Sequence, residues 1–357
     1  MTDFFEIDFL DVESKKSGDA IPLRYSIDGT TRIHVTDGGF QATGDLVVDH
    51  INKYYGSPNY IDAVIVTHPD SDHAGGPRKL FDEYEIGELW MLRPWLYAEE
   101  LINRFSRFTS VDNLVQRLKE LYPNLAALEE LALEHGVKIS EPFQGEKIGE
   151  FSVLAPSKTR YLDLVVESEK TPESTKEEEQ SLVEAAGQLF DKAINFIKSA
   201  WGDEYFPDDD TSPENNMSVI QYACLCDKKI LLTGDAGRAA LDEAADFAPN
   251  VGLQLPGIDR MQVPHHGSRH NVSTEVLDRW LGAKHEAQPD LGSFTAVVSA
   301  AKEDKDHPRK SVVRSFMHRG AKVISTEGSN KKIGHNAPER KNWVTVDPLP
   351  YPEDQEK

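Results

Sequence analysis

The sequence predicts an α/β fold in which sheets and helices form layers. Short β-prone segments separated by turns come first, a helical stretch and a strongly apolar strand follow, and a second set of strands begins after residue 217. The 357 residues can bury a sizeable core in one large domain or two ordinary ones. Since no linker or internal repeat divides the chain, we predict a single domain over 1–357.

The first strands alternate with turns. The segments 4–12, 21–27 and 31–36 are rich in β-prone residues, and Gly-Asp and Asp-Gly pairs separate them. Residues 41–55 fit a helix, and 61–67 is the kind of continuous apolar strand that is buried on both faces of a sheet. This order of strands, helix and strand is typical of a layered α/β domain.

A long helical and acidic segment follows. From 78 to 137, leucines recur at spacings of three and four residues, which predicts helices that face a core. Residues 151–154 predict a strand, 167–179 is a low-complexity acidic run that we expect to stay solvated, and 182–201 fits a helix. We predict that 78–214 is an enlarged helical and acidic insertion within the domain.

Strands return in the second half of the chain. We predict them at 218–226, 229–233, 261–263 and 295–299, with a helix at 238–247. Each strand ends in polar or ionisable residues, and the functional side chains of layered α/β folds tend to lie at that end.

Charge is unevenly distributed along the chain. The net charge of −22 argues against binding of a long nucleic acid, because phosphates are bound by basic side chains. Residues 161–214 contain 15 acidic and 4 basic residues, and this segment could face away from the site, gate it, or dock a partner protein. Residues 302–341 contain 11 basic and 5 acidic residues, so one end of the protein is basic.

Composition and the first residues lead us to expect a cytoplasmic protein without a membrane span. Mean hydropathy is −0.50, and apolar runs reach about six residues, whereas a spanning helix needs about 20. The acidic start lacks the features of a secretory signal. Cys224 and Cys226 lie in one apolar stretch, and we predict two buried reduced thiols rather than half of a metal site.

Four potential metal ligands directly follow the apolar strand at 61–67. His68 and Asp70 form an i, i+2 pair that can share one cation, while Asp72 and His73, in the following turn, face a neighbouring position. This spacing suits two cations about 3.5–4 Å apart, which is the arrangement found in binuclear hydrolases.

Two later strand ends offer matching ligands. Asp235 offers a carboxylate suited to bridging two cations, and His265 and His266 offer imidazoles. A Gly-Asp pair after a strand is by itself an ordinary turn. Its significance comes from its combination with the first motif and from the order of the two along the chain.

Together these residues resemble the metallo-β-lactamase fold hydrolases, and in particular the ComEC-like branch, named after the C-terminal domain of the bacterial competence DNA-uptake protein. That branch shows a His-x-Asp-x-Asp-His-x-Gly-Gly motif, which residues 68–76 match throughout. The resemblance covers 4–75 and 215–325 well, whereas 78–214 is longer and more helical than the family core. Further matching positions occur in the same order at 9–12, 18–21, 36–39, Asn216, Ser218, 232–236, 265–268, Ser299 and 307–308.

The resemblance implies a four-layer αββα sandwich with two divalent cations, zinc or manganese, at its edge. His68 and Asp70 would bind the first cation, and Asp72 and His73 would bind the second. Asp235 would bridge the two cations.

One further histidine would complete the second centre. We favour His265, which lies nearest the strand end, with His266 orienting substrate or supporting a ligand.

Two departures from the wider superfamily affect the first centre: Asp70 replaces the usual second histidine, and no histidine between His135 and His265 supplies the usual third ligand. Asn216 could stand near that position. A first centre with more oxygen ligands should accept Mn²⁺ more readily than a centre made only of imidazoles. Partial occupancy of this first centre is an alternative to full occupancy.

Several further residues could support the site or bind substrate. Asp37 could brace the metal-binding histidines or serve as a turn residue alone, and Asp19 is a turn or supporting residue rather than a ligand. His307 could protonate a leaving oxygen, bind phosphate, or be an ordinary loop histidine. The remaining candidates for substrate binding or support are Asn216, His266, Ser268, Arg269 and Ser299.

The resemblance and the basic segment 302–341 favour a metal-dependent phosphodiesterase or nuclease that acts on DNA through a metal-bound hydroxide. Asp72 and His307 are the predicted catalytic residues. Two alternatives stay open. One is a small-molecule hydrolase for a phosphodiester, lactone or thioester, with 78–214 as its lid. The other is a non-catalytic, metal-stabilised module that binds a protein partner.

Overall fold

The computed structural model describes residues 2–12, 15–106, 108–168 and 196–356. These residues form two seven-stranded sheets and a two-stranded sheet. The strands are β1 Phe4–Phe9, β2 Ala20–Ile27, β3 Thr30–Gly38, β4 Tyr60–Ile65, β5 Glu85–Trp90, β6 Lys138–Ser140, β7 Lys147–Ile148, β8 Phe151–Ala155, β9 Phe196–Lys198, β10 Ile220–Leu225, β11 Lys228–Leu232, β12 Arg260–Gln262, β13 Phe294–Val298, β14 Ala321–Ser325, β15 Lys331–His335 and β16 Asp354–Glu356.

The helices are short. Among the described residues the longest has 12 residues, and none is long and apolar enough to cross a membrane. The α-helices are Gly44–Tyr54, Ser71–Ala74, Arg78–Glu83, Ala98–Leu101, Val111–Leu121, Pro123–Glu134, Lys158–Glu167, Pro213–Asn216, Arg238–Phe247, Thr274–Leu281 and Lys310–His318, and the 3₁₀ turns are Gln41–Thr43, Pro94–Tyr97, Ile102–Arg104, Ala248–Val251 and Pro264–Gly267.

Parallel strands in both sheets bring their carboxyl ends to one edge. The first sheet has the order β15-β1-β2-β3-β4-β5-β6, and the second has β14-β13-β12-β11-β10-β8-β7. Strands β3 to β6 are parallel in the first sheet, and β11 to β14 are parallel in the second. The loops after β3, β4, β11 and β12 can therefore converge.

Three hydrophobic cores among the described residues define four layers. The central core joins the inner faces of the two sheets and includes Ile7 and Phe151. One outer core, which includes Ile51, lies between the first sheet and its helices. The other, which includes Leu241 and Trp280, lies between the second sheet and its helices. The predicted four-layer αββα sandwich is confirmed.

The helical pattern from 78 to 137 contains a strand that the sequence analysis does not predict. Glu85–Trp90 forms β5, which extends the first sheet in parallel beside β4. Glu85 and Glu88 give this segment little β propensity of its own, so pairing with the edge of β4 decides its conformation.

The acidic run predicted at 167–179 and the helix predicted at 182–201 lie mostly outside the described residues. At the described end of that predicted helix, Phe196–Lys198 instead forms β9. This strand pairs in antiparallel register with β16, Asp354–Glu356. A partner from a distant part of the chain therefore overrides the local helical pattern there.

The prediction of two buried thiols is wrong. Cys224 is exposed and Cys226 is half-buried. Cys226 and Asp227 form the turn of the β10–β11 hairpin with φ values of 51° and 59°, as in a type I′ turn. Cys224 lies just before this turn, on the strand face opposite the buried Ala223 and Leu225.

A buried histidine in the central layer makes stability depend on pH. His34 of β3 is 1% exposed. Its Nε2 lies 3.3 Å from the Tyr25 hydroxyl oxygen, which also accepts a hydrogen bond from the N–H of Glu150 at 3.2 Å. Burial, aided by the charge of Arg32, lowers the pKa of His34 to about 3. His34 is therefore neutral in the folded protein at neutral pH.

His34 should reduce stability in acid. Because an unfolded histidine titrates near about 6.5, this one group should lower the free energy of unfolding by about 3 kcal/mol as the pH falls from about 6.5 to 4. Urea unfolding across that pH range measures the effect. His34→Phe should remove it, whereas His270→Phe, at a histidine whose side chain is 43% exposed, should keep the wild-type slope. An unchanged slope in His34→Phe contradicts the prediction.

Candidate metal centre

The predicted ligands converge at one edge of the sandwich, where strands of both sheets end. Asp37 lies at the end of β3, and the motif 68–73 follows β4. Asp235 follows β11, and His265 and His266 follow β12. The first sheet therefore supplies one wall of the site, and the second sheet supplies the other.

Glycines let the first motif approach the turn after β3. A Cβ on Gly76 would lie 1.8 Å from the carbonyl oxygen of Gly38, so no larger residue fits there. The N–H of Gly76 donates a hydrogen bond to the carbonyl of Gly39 at 2.8 Å. This close contact holds the one-turn helix Ser71–Ala74, which carries His73, beside β3.

One oxygen of Asp235 faces the second predicted centre. Its Oδ1 lies 3.3 Å from Nε2 of His73 and 3.9 Å from Nε2 of His266. Oδ2 of Asp72 lies 3.5 Å from Nε2 of His266 and 3.8 Å from Nε2 of His73. The structure thus places His266 at the position for which the sequence analysis favours His265.

The other oxygen of Asp235 faces the first predicted centre. Its Oδ2 lies 3.7 Å from Nε2 of His68 and 3.5 Å from Nε2 of His265. Oδ2 of Asp70 lies 3.8 Å from Nε2 of His68. The two oxygens of Asp235 are therefore divided between two groups of imidazoles, as a bridging carboxylate requires.

The donor atoms of both groups fit divalent cations. Two atoms bonded to one cation at about 2.1 Å and a tetrahedral angle lie about 3.4 Å apart, close to these separations. The Nε2 atoms of His68, His73 and His266, and Oδ1 of Asp235, are buried without a hydrogen-bond partner. Such atoms are costly unless a ligand satisfies them. Asp19 joins His73, Asp235 and His266 in a buried set whose ligand atoms lie within 4.8 Å of one another.

Hydrogen bonds set the orientation of two rings. Nδ1 of His73 lies 2.9 Å from Oδ2 of Asp37, and Nδ1 of His266 lies 2.8 Å from the carbonyl oxygen of Ser299. Each acceptor requires a proton on Nδ1 and leaves the Nε2 lone pair for a cation. Asp37 also accepts hydrogen bonds from the N–H and hydroxyl of Thr67, at 2.9 and 2.7 Å. Asp37 thus braces His73.

The rings of the first group are held in a similar way. Nδ1 of His68 lies 3.0 Å from the hydroxyl oxygen of Thr67. Nδ1 of His265 lies 3.0 Å from the amide oxygen of Asn271, whose NH₂ group donates to the carbonyl of Asp235 at 2.7 Å. The sequence contains no motif that points to Asn271, because its contacts are made across a loop.

The backbone at the adjacent histidines is strained. His265 has φ 45° and ψ 54°, and His266 has φ 53° and ψ 18°. Residues with a Cβ rarely adopt this left-handed region. In an extended strand, neighbouring side chains point to opposite faces, whereas here both rings reach Asp235. Strain of this kind tends to cluster at functional sites.

Opposite charges in the site shift several pKa values. Burial alone would raise the pKa of Asp235, but His73 and His265 hold it well below its usual range. Burial would lower the pKa of His266, but Asp235 and Asp72 raise it to about 9. Cation binding has to displace protons from such imidazoles, so metal affinity should increase with pH.

A buried glutamine that the sequence analysis does not single out links two parts of the site. Gln262 of β12 is 2% exposed. Its Oε1 accepts hydrogen bonds from the N–H groups of Thr233 and Gly234 at 2.9 and 3.1 Å, and its Nε2 donates to Asp19 at 2.8 Å. Burial raises the pKa of Asp19. Gln262 therefore connects the turn that carries Asp235 to Asp19.

His307 lies on the exposed side of the site. Its ring centroid is 5.6 Å from that of His265 and 6.0 Å from that of His266. Its Nδ1 lies 3.1 Å from Oδ2 of Asp304, which also accepts a hydrogen bond from the Ser17 hydroxyl at 2.7 Å. A histidine oriented by a carboxylate in this way can act in proton transfer through Nε2.

Asn216 points away from the ligands. Its Oδ1 accepts a hydrogen bond from the N–H of Ala240 at 3.2 Å, so it caps the helix Arg238–Phe247. The neighbouring Asn215 instead contacts Nδ1 of His265 at 3.1 Å. Asn216 is thus a packing neighbour of the site rather than a side chain that faces it.

Most basic residues of 302–341 bind acceptors within the chain. The segment therefore presents less positive surface than its composition indicates. Ser268 is buried and Arg269 is half-buried beside the histidines. The basic residues bound in this way are Arg309, Lys310, Arg314, Arg319, Lys331, Lys332 and Arg340.

One curated relative shares part of this sequence, and no family model matches the chain. ComE operon protein 3 of Bacillus subtilis (strain 168) is 26% identical over 143 residues. The match covers 40% of this chain and 16% of that protein, so this chain spans a small part of its relative's length. The match supports the resemblance to the ComEC-like branch.

Three solved structures similar to this chain share 11–12% sequence identity with it. A mutant of CmlA β-hydroxylase is 11% identical with a TM-score of 0.43, over 93% of this chain and 54% of that chain. Zn²⁺-bound PqqB from Methylobacterium extorquens is 12% identical with a TM-score of 0.39, over 92% and 99% of the two chains. A possible metal-dependent hydrolase from Veillonella parvula DSM 2008 is 12% identical with a TM-score of 0.36, over 93% and 99%. The two sheets and three cores described above establish the fold itself.

Proposed function

We propose that this protein is a binuclear metal-dependent hydrolase that cleaves phosphodiester bonds, with DNA as its substrate. The observation that carries the proposal is the division of Asp235, whose two oxygens each face a pair of imidazoles. A carboxylate in this position can hold two divalent cations side by side. Imidazole and carboxylate donors suit both zinc and manganese.

Two divalent cations would neutralise the negative charge of the site. Asp70, Asp72 and Asp235 contribute three negative charges and an ionised water contributes a fourth. Two adjacent cations can stabilise both the attacking and the leaving oxygen of a phosphodiester, and this capacity, rather than a net charge, favours that substrate class.

The chain's own residues would orient the substrate and transfer a proton. Bound divalent cations supply an ionised water nucleophile at neutral pH and stabilise the charge that develops on the substrate. Asp37 and the carbonyl of Ser299 hold the rings of His73 and His266 in the ligating tautomer. His307 lies on the exposed side, where its Nε2 could donate a proton to the leaving oxygen.

Removal of the proton donor should slow hydrolysis without removal of the cations. We expect His307→Gln to lower kcat by about 10²- to 10⁴-fold, because general acid catalysis contributes an effect of about that size. Asp304→Asn should lower kcat less, since it misorients the ring but keeps it. Metal content, measured by mass spectrometry, should equal that of wild type in both variants. His270→Gln is the control, and wild-type kcat in His307→Gln contradicts the proposed role.

Cleavage of labelled DNA tests the proposed function. Linear and circular DNA, single- and double-stranded, is incubated with Mn²⁺ or Zn²⁺ and with wild type or Asp72→Ala purified in parallel. Metal-dependent cleavage that disappears in Asp72→Ala supports a nuclease, and cleavage of the circle makes it an endonuclease. If wild-type protein that carries two cations cuts none of these forms, the DNA proposal is overturned.

A second candidate is the hydrolysis of a small molecule beneath the helical segment, where a small cavity lies beside the first centre. Tyr122, Leu125 and Tyr161 close this cavity, which reaches His68 and has a volume of about 10 Å³. It has room for about one water, so these side chains would have to move to admit a substrate. Turnover of a nitrophenyl phosphodiester or a lactone by wild type, but not by Asp72→Ala, together with uncut DNA, selects this candidate.

A further inference from the structure

We infer that His265 is the third ligand of the first cation, at the centre for which the sequence lacks the usual histidine. This inference rests on the proposed function, because it concerns the same site. Nε2 of His265 lies 3.5 Å from Oδ2 of Asp235, the oxygen that also faces His68. The Oδ1 side already has its two imidazoles, from His73 and His266.

Asn271 prepares His265 for this role. The NH₂ group of Asn271 donates hydrogen bonds to the carbonyls of Asp235 and Ala236, at 2.7 and 3.2 Å. These two acceptors fix the orientation of the amide, so the atom 3.0 Å from Nδ1 of His265 is its oxygen. Nδ1 therefore carries the proton, and the lone pair on Nε2 faces Asp235.

A second amide is compatible with this tautomer. Asn215 contacts the same Nδ1 at 3.1 Å, and its other partner is the hydroxyl of Thr211 at 2.7 Å. A hydroxyl can donate or accept, so the amide of Asn215 can turn its oxygen towards His265 without loss of that hydrogen bond. The amide of Asn271 cannot turn in this way, because its NH₂ group has to donate to the carbonyls of Asp235 and Ala236.

The two centres then have similar sets of donors. Each has two imidazoles, one terminal carboxylate and one oxygen of Asp235, and Asp19, which accepts a hydrogen bond from Gln262, also lies beside the second centre. We therefore expect the same metal in both centres and full occupancy of the first, rather than a weak first centre. The donors are His68, His265 and Asp70 for the first centre, and His73, His266 and Asp72 for the second.

Metal stoichiometry of the full chain tests this assignment. The protein is loaded with Mn²⁺, desalted and analysed by mass spectrometry, with far-UV circular dichroism as the check on folding. Wild type should bind two equivalents, and His265→Ala and Asp70→Ala should bind one each. His265→Ala combined with Asp70→Ala should still bind one, because both changes affect the same centre. His265→Ala combined with Asp72→Ala should bind none.

Two further variants sharpen the test. Asn271→Leu should weaken the first equivalent by about 10- to 100-fold in a Mn²⁺ titration, because it removes the partner that orients the ring. His270→Ala, at a neighbouring histidine paired with Asp209, should keep two equivalents and unchanged affinity.

Several outcomes would overturn the assignment. The assignment is wrong if wild type binds fewer than two equivalents of Mn²⁺. It is also wrong if folded His265→Ala binds two equivalents or none. One equivalent in His265→Ala with Asp72→Ala, and none in His265→Ala with Asp70→Ala, would place His265 in the second centre. Two equivalents without turnover would contradict the proposed function and leave the assignment intact. If wild type hydrolyses the substrate but His265→Ala still binds two equivalents of Mn²⁺, the assignment is wrong and the proposed function is retained.

Discussion

Asp235→Asn should remove both cations and lower hydrolysis by at least about 10³-fold, which corresponds to about 4 kcal/mol of transition-state stabilisation. Asp235 is 2% exposed, and its two oxygens face four imidazoles. Asparagine has nearly the same shape, but it is neutral and offers one oxygen donor, so it cannot bridge two cations. Mass spectrometry measures the metal content, and the cleavage assay measures the rate.

The matched control for Asp235→Asn is Asp209→Asn. Asp209 is exposed and pairs with His270 at the edge of the site, so this variant makes the same chemical change without loss of a ligand. It should keep two equivalents of metal and the wild-type rate. Retention of both cations by Asp235→Asn would show that the carboxylate does not bridge them.

Arg340→Met should destabilise the fold by about 3 kcal/mol, because it removes a guanidinium that two buried carboxylates share and leaves Glu6 with Arg24 and Asp8 with His50. Glu6 and Asp8 of β1 have fully buried side chains. The guanidinium of Arg340 donates to Asp8 at 2.7 and 2.8 Å and to Glu6 at 2.7 Å. It also lies over the rings of Tyr54 and Trp343. Urea unfolding at pH 7 measures the loss.

Two variants show whether buried charge causes this loss. Lys341→Met changes the adjacent exposed lysine and should alter stability by less than about 0.5 kcal/mol. Asp8→Asn in the Arg340→Met background should restore part of the lost stability, since it removes one of the uncompensated charges. A loss below about 1 kcal/mol in Arg340→Met would mean that water or Arg24 compensates the carboxylates.

Local patterns in the sequence were sufficient for the fold class and for the motif 68–73. Runs of β-prone residues predict strands wherever they appear, and the helix predicted at 238–247 has the bounds Arg238–Phe247 in the structure. Adjacent ligands can be recognised because their spacing is set by one short stretch of backbone. Strand β5 could not be predicted in this way, because its partner β4 decides its conformation.

Contacts between distant segments determine which oxygen of Asp235 each histidine faces and which charged side chains are paired. The sequence analysis favours His265 for the second centre because it lies nearer the strand end. Left-handed backbone at both histidines instead directs His266 to Asp72 and leaves His265 beside the other oxygen of Asp235. In the same way, Glu6 and Asp8 neutralise Arg340, which composition counts as part of a basic surface. Side-chain direction and charge pairing depend on residues that are distant in sequence but close in space, and local sequence patterns do not identify those residues.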